Sequence, residues 1–175
     1  MPELAERVAR LIRDVPDFPT PGILFRDIAP LLRDPEVFAA VVDWFADRVR
    51  AREATVIVGI ESRGFLIGAP VALRAGVPFV PVRKPGKLPG PVHGESCTLE
   101  YGETELQVQV GALHAGDRAL IVDDVLATGG TAAAAAQLVR ADGGDPVELA
   151  VLLELGALDG RAALGSWPVQ ALLTV

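Results

Sequence analysis

Ala119-Leu120-Ile121-Val122-Asp123-Asp124-Val125-Leu126-Ala127-Thr128-Gly129-Gly130-Thr131 decides the reading of this chain. Ala119 to Val122 is a short apolar run of the kind buried on both faces of a sheet. Two carboxylates, Asp123 and Asp124, stand at its C-terminal end. After a short loop, Thr128-Gly129-Gly130-Thr131 opens an alanine-rich helix, Ala132 to Arg140. Ligands of open α/β sheets bind beyond the carboxyl ends of the strands. A helix N-terminus with glycines offers unobstructed N–H donors and a favourable dipole to a phosphate. Thr128 and Thr131 add hydroxyls, and two adjacent carboxylates suit the hydroxyls of a sugar diol. Together these parts describe a pocket for a ribose 5-phosphate. On spacing alone, an ordinary strand–turn–helix with an N-cap is the alternative. Neither a Walker loop nor a Gly-x-Gly-x-x-Gly dinucleotide fingerprint is present.

The flanking sequence repeats the strand–helix alternation. Thr55 to Ile60 is a β-branched strand, followed by a helix from Phe65 to Arg74 that Gly76 closes. Val77 to Val82, Val147 to Leu153 and Val169 to Val175 supply further strands. This order predicts an α/β fold with a mainly parallel twisted sheet flanked by helices. Upstream, Leu4, Val8, Leu11, Ile12 and Val15 predict an amphipathic helix ending before Pro16. Residues 16–22 are too proline-rich for a helix or a central strand. Asp34-Pro35 reads as an N-cap and first helical position, with Val37, Phe38, Val41, Val42, Phe45 and Val49 as the buried face. Residues 83–95 read as a Gly/Pro-rich loop. Tyr101-Gly102 turns the alternating strand around Leu106, Val108 and Val110 back on residues 96–100, as a flexible β-hairpin loop.

The 175 residues suffice for one core and are half apolar. Sixteen basic and 23 acidic side chains leave a net charge of −7, which disfavours binding nucleic acid through bulk charge. The only lysines, Lys84 and Lys87, sit with Arg83 in a five-residue stretch that contains no acid. The single cysteine, Cys97, excludes an internal disulfide and a cysteine-rich zinc site. It fits a reducing, cytoplasmic setting. The N-terminus lacks the pattern of a signal peptide, and no apolar run suits a membrane span. His93 and His114 are isolated and read as surface or loop residues.

The Val122 to Thr131 run resembles the phosphoribosyl pyrophosphate signature of the type I phosphoribosyltransferases. Pro16-Asp17-Phe18-Pro19-Thr20-Pro21-Gly22-Ile23-Leu24-Phe25-Arg26-Asp27-Ile28, Ser62-Arg63-Gly64-Phe65, Arg83-Lys84 with Gly86-Lys87-Leu88-Pro89-Gly90, and Leu99-Glu100-Tyr101-Gly102 extend the likeness. In that order and spacing, they resemble the adenine phosphoribosyltransferase family over nearly the whole chain. The resemblance implies conversion of adenine and phosphoribosyl pyrophosphate to AMP and pyrophosphate, in purine salvage. It also implies Mg²⁺, held mainly by substrate phosphates and water, with no metal site built from protein side chains. Homodimers are typical of the family, with Arg83 reaching the neighbouring subunit's pyrophosphate.

Carried over by position, Asp123 and Asp124 match the ribose contacts. Ala127, Thr128, Gly129, Gly130 and Thr131 match the 5-phosphate loop. Glu61, Ser62 and Arg63 match the pyrophosphate loop, with a cis Glu61–Ser62 peptide, and Arg83, Lys84 and Lys87 join them. Residues 1–34 match a hood over the base and residues 35–175 the core. In that hood, Leu24 lines the purine edge, Phe25 stacks on the ring, and main-chain groups around Arg26 read the 6-amino group. Taken alone, Phe25 reads as core. Glu100 matches a general acid/base acting at the purine's imidazole nitrogens, and Tyr101 a residue of loop closure. Cys97 and Pro85 depart from the family pattern.

Two other readings compete. One is specificity for xanthine or hypoxanthine, which the Leu99 to Gly102 and Pro16 to Pro19 segments oppose. The other is a non-catalytic sensor of phosphoribosyl pyrophosphate. Such a sensor has less use for Asp123, Asp124 and Glu100 together.

Overall fold

The structure, a computed structural model, describes residues 2–99 and 102–175. These form two compact units, 1–44 and 45–175. The break falls within a helix, later in the chain than residue 34, where the resemblance places the end of the hood.

In the first unit, α1 (Pro2–Leu11) ends earlier than the apolar spacing predicts. Residues from Arg13 onward pair instead. β1 (Arg13–Pro16) and β2 (Leu24–Asp27) form a two-stranded antiparallel ribbon with Val15 opposite Phe25. Such a ribbon has only edge strands, so Pro16 sacrifices no central ladder bond. The joining turn contains a cis Phe18–Pro19 bond, and Asp17 accepts a 2.7 Å hydrogen bond from the Gly22 N–H. Phe18 meets Phe25 edge to face at 5.1 Å. The carboxylate of Asp27 accepts the Ala29 N–H at 2.8 Å, at the entry to a short helix, α2 (Ala29–Leu32).

α3 (Pro35–Ala51) starts as the sequence predicts. Asp34 accepts the N–H groups of Glu36 and Val37 at 3.1 and 3.0 Å, satisfying donors that the helix cannot. Val37, Val41, Val42, Phe45 and Val49 are buried and Phe38 is half-buried. Trp44 and Ala46 are buried as well, widening the predicted stripe.

The second unit is organised by a five-stranded parallel sheet. Its strands are β3 (Val56–Ile60), β4 (Phe79–Val82), β7 (Arg118–Leu126), β8 (Asp145–Glu154) and β9 (Val169–Thr174), in the order β4-β3-β7-β8-β9. Every residue of β3 is buried, as are Ala119–Val122 of β7 and Leu149–Leu153 of β8. This explains why these strands read as unbroken apolar runs.

Side chains alternate between the two faces of the sheet. Val56, Val58, Ile60, Ala119 and Ile121 join a core with Ala134, Ala135, Leu138 and Val139 of α5 (Gly130–Ala141). Leu106 and Val108 close this core from an antiparallel hairpin, β5 (Val92–Leu99) and β6 (Gly102–Gln109). The five consecutive alanines let α5 lie close. On the other face, α4 (Arg63–Ala75) packs against β3, β4 and β7, and Gly76 ends it with φ 72°.

The hairpin is longer than the sequence suggests. Val92 to Glu95, read as loop, pair with Leu106 to Gln109, and Arg83 exchanges two main-chain hydrogen bonds with Gln107. Among the described residues, no helix is long and apolar enough to cross a membrane.

Glu148 of β8 is fully buried and carries two arginines. Arg48 donates to both its oxygens at 2.8 and 2.9 Å, and Arg52 donates to one at 2.6 Å. The fork ties the end of α3 to the sheet. Removing one member of such a network is costly because it strands the rest. Glu148→Ala is expected to lower unfolding free energy by about 3 kcal/mol in urea denaturation. A loss below about 0.5 kcal/mol would show the network to be dispensable.

Candidate active site

The sheet order reverses between β3 and β7: the chain continues from β3 to one side and later returns on the other. Crevices at such points lie outside the carboxyl ends of the strands. A cavity of about 370 Å³ opens there. It is lined by Glu61, Ser62 and Arg63 after β3, Lys84 after β4, Asp123, Asp124 and Val125 of β7, Ala127 and Thr131 of the following loop and helix, and Thr104 and Leu106 of the hairpin.

The two carboxylates lie inside β7, which continues to Leu126 rather than stopping at Val122. Neighbouring strand residues point to opposite faces, yet both aspartates border the cavity. The Asp124 N–H donates to Asp123 Oδ1 at 2.8 Å. Asp124 is buried, and solvent reaches Asp123 through the cavity. Desolvation and the neighbouring Asp124 charge hold the Asp123 carboxyl well above the usual range. Desolvation also raises Asp124, partly opposed by Arg63, whose Nε lies 2.9 Å from Asp124 Oδ2.

Arg63 can stand there because Gly64 follows it. A Cβ on Gly64 would meet the Val122 carbonyl oxygen at 2.7 Å and Asp123 Oδ1 at 3.1 Å. With only hydrogen at that position, the start of α4 rests directly on the end of β7. The preceding Glu61–Ser62 peptide is cis, in agreement with the expectation from resemblance.

Glu61 belongs to a second cluster. Its Oε2 accepts the Lys84 N–H and Arg83 Nε, both at 3.1 Å. Burial pushes the Glu61 carboxyl up, but these donors and the Arg83 charge hold it below the ordinary value. Arg83 also donates to the Lys87 carbonyl at 3.2 Å and lies over the Phe65 ring. The lysine loop is thereby tied to the end of β3. Lys84 borders the cavity, whereas Arg83 and Lys87 are absent from its lining.

Of the phosphate-loop candidates, Ala127 and Thr131 border the cavity; Thr128, Gly129 and Gly130 complete the turn between them. Gly129 has φ 87°, a backbone region that favours glycine. The first α5 bond runs from the Ala133 N–H to the Gly129 carbonyl at 2.9 Å. The preceding first-turn amides therefore lack an acceptor within the helix, as an anion site requires.

Leu24, Phe25 and Arg26 lie on β2 of the first unit. Leu24 is largely exposed, Phe25 packs on Phe18, and Arg26 ion-pairs with Asp14. Glu100 and Tyr101 lie outside the described residues. His93 is partly exposed, with Nε2 3.2 Å from the Asp142 carboxylate, and His114 is exposed. Cys97 is buried, and desolvation raises its thiol, so it lacks the character of an activated nucleophile.

Sequence reasoning missed Thr104, Leu106 and Val125 as cavity residues. Extending the period-two pattern of Leu106 and Val108 back along β6 places Thr104 on the same face. Gly160 was also missed, although it abuts the loop from Ala127 to Gly129; nothing in its local pattern marks it.

The match to known proteins agrees with this geometry. The family model for the phosphoribosyl transferase domain matches residues 28–164. An adenine phosphoribosyltransferase from Streptomyces coelicolor is 54% identical over 98% of this chain and 97% of its own length. The crystal structure of adenine phosphoribosyltransferase from Thermoanaerobacter pseudethanolicus superposes with a TM-score of 0.94 at 44% identity, covering 98% of this chain and 99% of that one. The Saccharomyces cerevisiae enzyme, solved with adenine and an imino-altritol bisphosphate, gives 0.93 at 41% identity, covering 99% and 100%. The chain belongs to the phosphoribosyltransferases and, among them, to the adenine phosphoribosyltransferase family.

The elevated Asp123 carboxyl has a consequence for stability. A carboxyl whose folded pKa is raised takes up protons on folding, so its ionised form opposes folding above that pKa. Asp123→Asn is expected to stabilise the ligand-free protein at pH 8 by about 1 kcal/mol or more. The advantage should shrink as pH falls through the folded pKa toward the ordinary carboxylate range. Thermal melts across pH check this; a variant less stable than wild type at pH 8 contradicts it.

Proposed function

We propose that this protein transfers the phosphoribosyl group of phosphoribosyl pyrophosphate to adenine, releasing AMP and pyrophosphate in purine salvage. The observation that carries this reading is the pairing of Asp123 and Asp124 with the α5 loop on one side and Arg63 and Lys84 on the other. Carboxylates accept from the ribose hydroxyls, loop amides from Ala127 to Thr131 donate to the 5-phosphate, and the cations face the pyrophosphate. The Trypanosoma brucei enzyme, 31% identical and solved with AMP, pyrophosphate and ribose 5-phosphate, supports this substrate set.

In the reaction, the bond from the anomeric carbon to the pyrophosphate oxygen breaks and that oxygen takes the electron pair. A purine ring nitrogen forms the new bond to carbon and loses its proton to a base. Glu100 is our candidate for that base, acting on the imidazole side of the purine, and Tyr101 for loop closure. Arg63 and Lys84 stabilise the departing polyanion. Asp123 and Asp124 hold the sugar so that nucleophile and leaving group stand in line. Closing the hairpin excludes water, which would otherwise trap the cation-like sugar. Leu24, Phe25 and main-chain groups at Arg26 are our candidates for the base pocket. A backbone donor and acceptor there would separate a 6-amino from a 6-oxo purine.

Among the described residues, no group of three His, Cys, Asp or Glu side chains is spaced to hold a metal. A Mg²⁺ would instead arrive on the substrate phosphates and keep several waters, to which Asp123 and Asp124 would offer any carboxylate oxygens the ribose leaves free. When bound, the ion would neutralise charge on the leaving group.

We also infer a homodimer. Leu66 and Leu73 are 49% and 86% exposed on α4, the helix that carries Arg63. They provide an apolar stripe suited to a second copy. The lone cysteine fits a cytoplasmic enzyme.

Radiolabelled adenine with phosphoribosyl pyrophosphate and Mg²⁺ should yield AMP. Hypoxanthine and xanthine should not turn over, and chelation should stop the reaction. Turnover of another purine in place of adenine would overturn the specificity. Glu100→Gln should reduce kcat by about 100-fold or more; near-normal kcat would remove Glu100 from the chemistry. Sedimentation should give a dimer, and a fully active monomer would contradict that assembly.

A further inference from the structure

Between β8 and β9 the chain makes two 3-10 turns, Gly156–Leu158 and Ala162–Leu164. Most of this segment is exposed, but Gly160 is buried. Its backbone lies against the loop that opens α5. A Cβ on Gly160 would stand 2.2 Å from the Ala127 carbonyl oxygen, and one on Gly129 would stand 2.4 Å from the Gly160 carbonyl oxygen. The phosphate loop is therefore braced by direct backbone contact, with glycine on both sides.

The residue after Gly160 is Arg161. Its Nε and a terminal nitrogen donate to the two carboxylate oxygens of Glu154 at 2.7 and 2.8 Å. The other terminal nitrogen donates to the Val169 carbonyl at 3.1 Å. Glu154 is the last residue of β8 and Val169 the first of β9. One guanidinium thus fixes the brace to the ends of two core strands, and a bidentate fork sets orientation as well as position. Arg161 itself is half exposed and is absent from the cavity lining.

We propose that Arg161, seated on Glu154, is a positioning residue for the 5-phosphate loop. It holds Gly160 against Gly129 and keeps the loop amides between Ala127 and Thr131 arranged for a phosphate. The inference rests on the function proposed above and adds a residue remote from the ligand to its phosphate site.

The test uses the full chain, with ribose 5-phosphate and Mg²⁺-pyrophosphate as separate calorimetric probes. Arg161→Ala should weaken ribose 5-phosphate binding by about tenfold or more. The KM for phosphoribosyl pyrophosphate should rise in parallel. Pyrophosphate affinity and the KM for adenine should stay within about twofold, because neither ligand uses this loop. Arg161→Lys, which keeps the charge but loses the fork, should fall between. Gly160→Ala should reproduce the selective loss through the opposite side of the contact. Should Arg161→Ala fail to fold, the other two variants decide.

Unchanged ribose 5-phosphate binding in the folded variants would overturn the proposal. Equal loss of both probes would do the same, since it signals general damage. A wild-type chain that binds no ribose 5-phosphate would instead sink the functional reading itself.

Discussion

Two carboxylates placed side by side within the last residues of a buried strand repel each other and lose solvation, and the site is built around that cost. Desolvation and mutual charge raise Asp123, and one guanidinium, from Arg63, answers Asp124 at 2.9 Å. That guanidinium can approach only because Gly64 lets α4 rest on the Val122 carbonyl. The parallel pairing of β3 with β7 brings these two strand ends together in the first place. A sugar whose hydroxyls donate to the carboxylates would supply hydrogen bonds that the unliganded site lacks. Under the proposed function, ligand affinity and a cost to the empty site would be two consequences of the same arrangement.

The remaining charges follow a complementary logic. The chain is acidic as a whole, yet Lys84 and Arg63 line the crevice. Arg83 is committed to Glu61 and leaves the cavity to its neighbour. Glu61 thus acts within this chain as a tether between β3 and the lysine loop, binding a main-chain N–H and a side chain at once. Small polyanions respond to local charge over a few ångströms, so the net −7 has little bearing on them.

Much of this was legible in the sequence because local and long-range signals agreed. The buried strands announced themselves as unbroken apolar runs, Asp34 and Gly76 marked helix ends, and the Asp123 to Thr131 segment joined strand, carboxylates and helix start. Errors came where pairing overruled local pattern. Val15 continued a helical spacing, but antiparallel pairing with Phe25 gave its backbone another partner. Val92 to Glu95 looked like loop beside glycines and prolines, yet the ladder to β6 extended through them. Arg161 and Glu154 were invisible as a pair, since only the turn between β8 and β9 brings them together. The resemblance implies that Arg83 reaches the neighbouring subunit's pyrophosphate; within one chain it donates to Glu61, a pairing set by the register of β3 and β4 and not visible in the sequence.

The central claim is that Asp123 and Asp124 hold a ribose between a phosphate loop and a pyrophosphate site. A crystal structure with phosphoribosyl pyrophosphate and Mg²⁺ tests it most directly. The account predicts ribose hydroxyls within hydrogen-bond distance of both carboxylates, the 5-phosphate on the amides from Ala127 to Thr131, and Arg63 turned from Asp124 toward the pyrophosphate. A sugar phosphate bound elsewhere, with the Arg63–Asp124 pair intact, would contradict it.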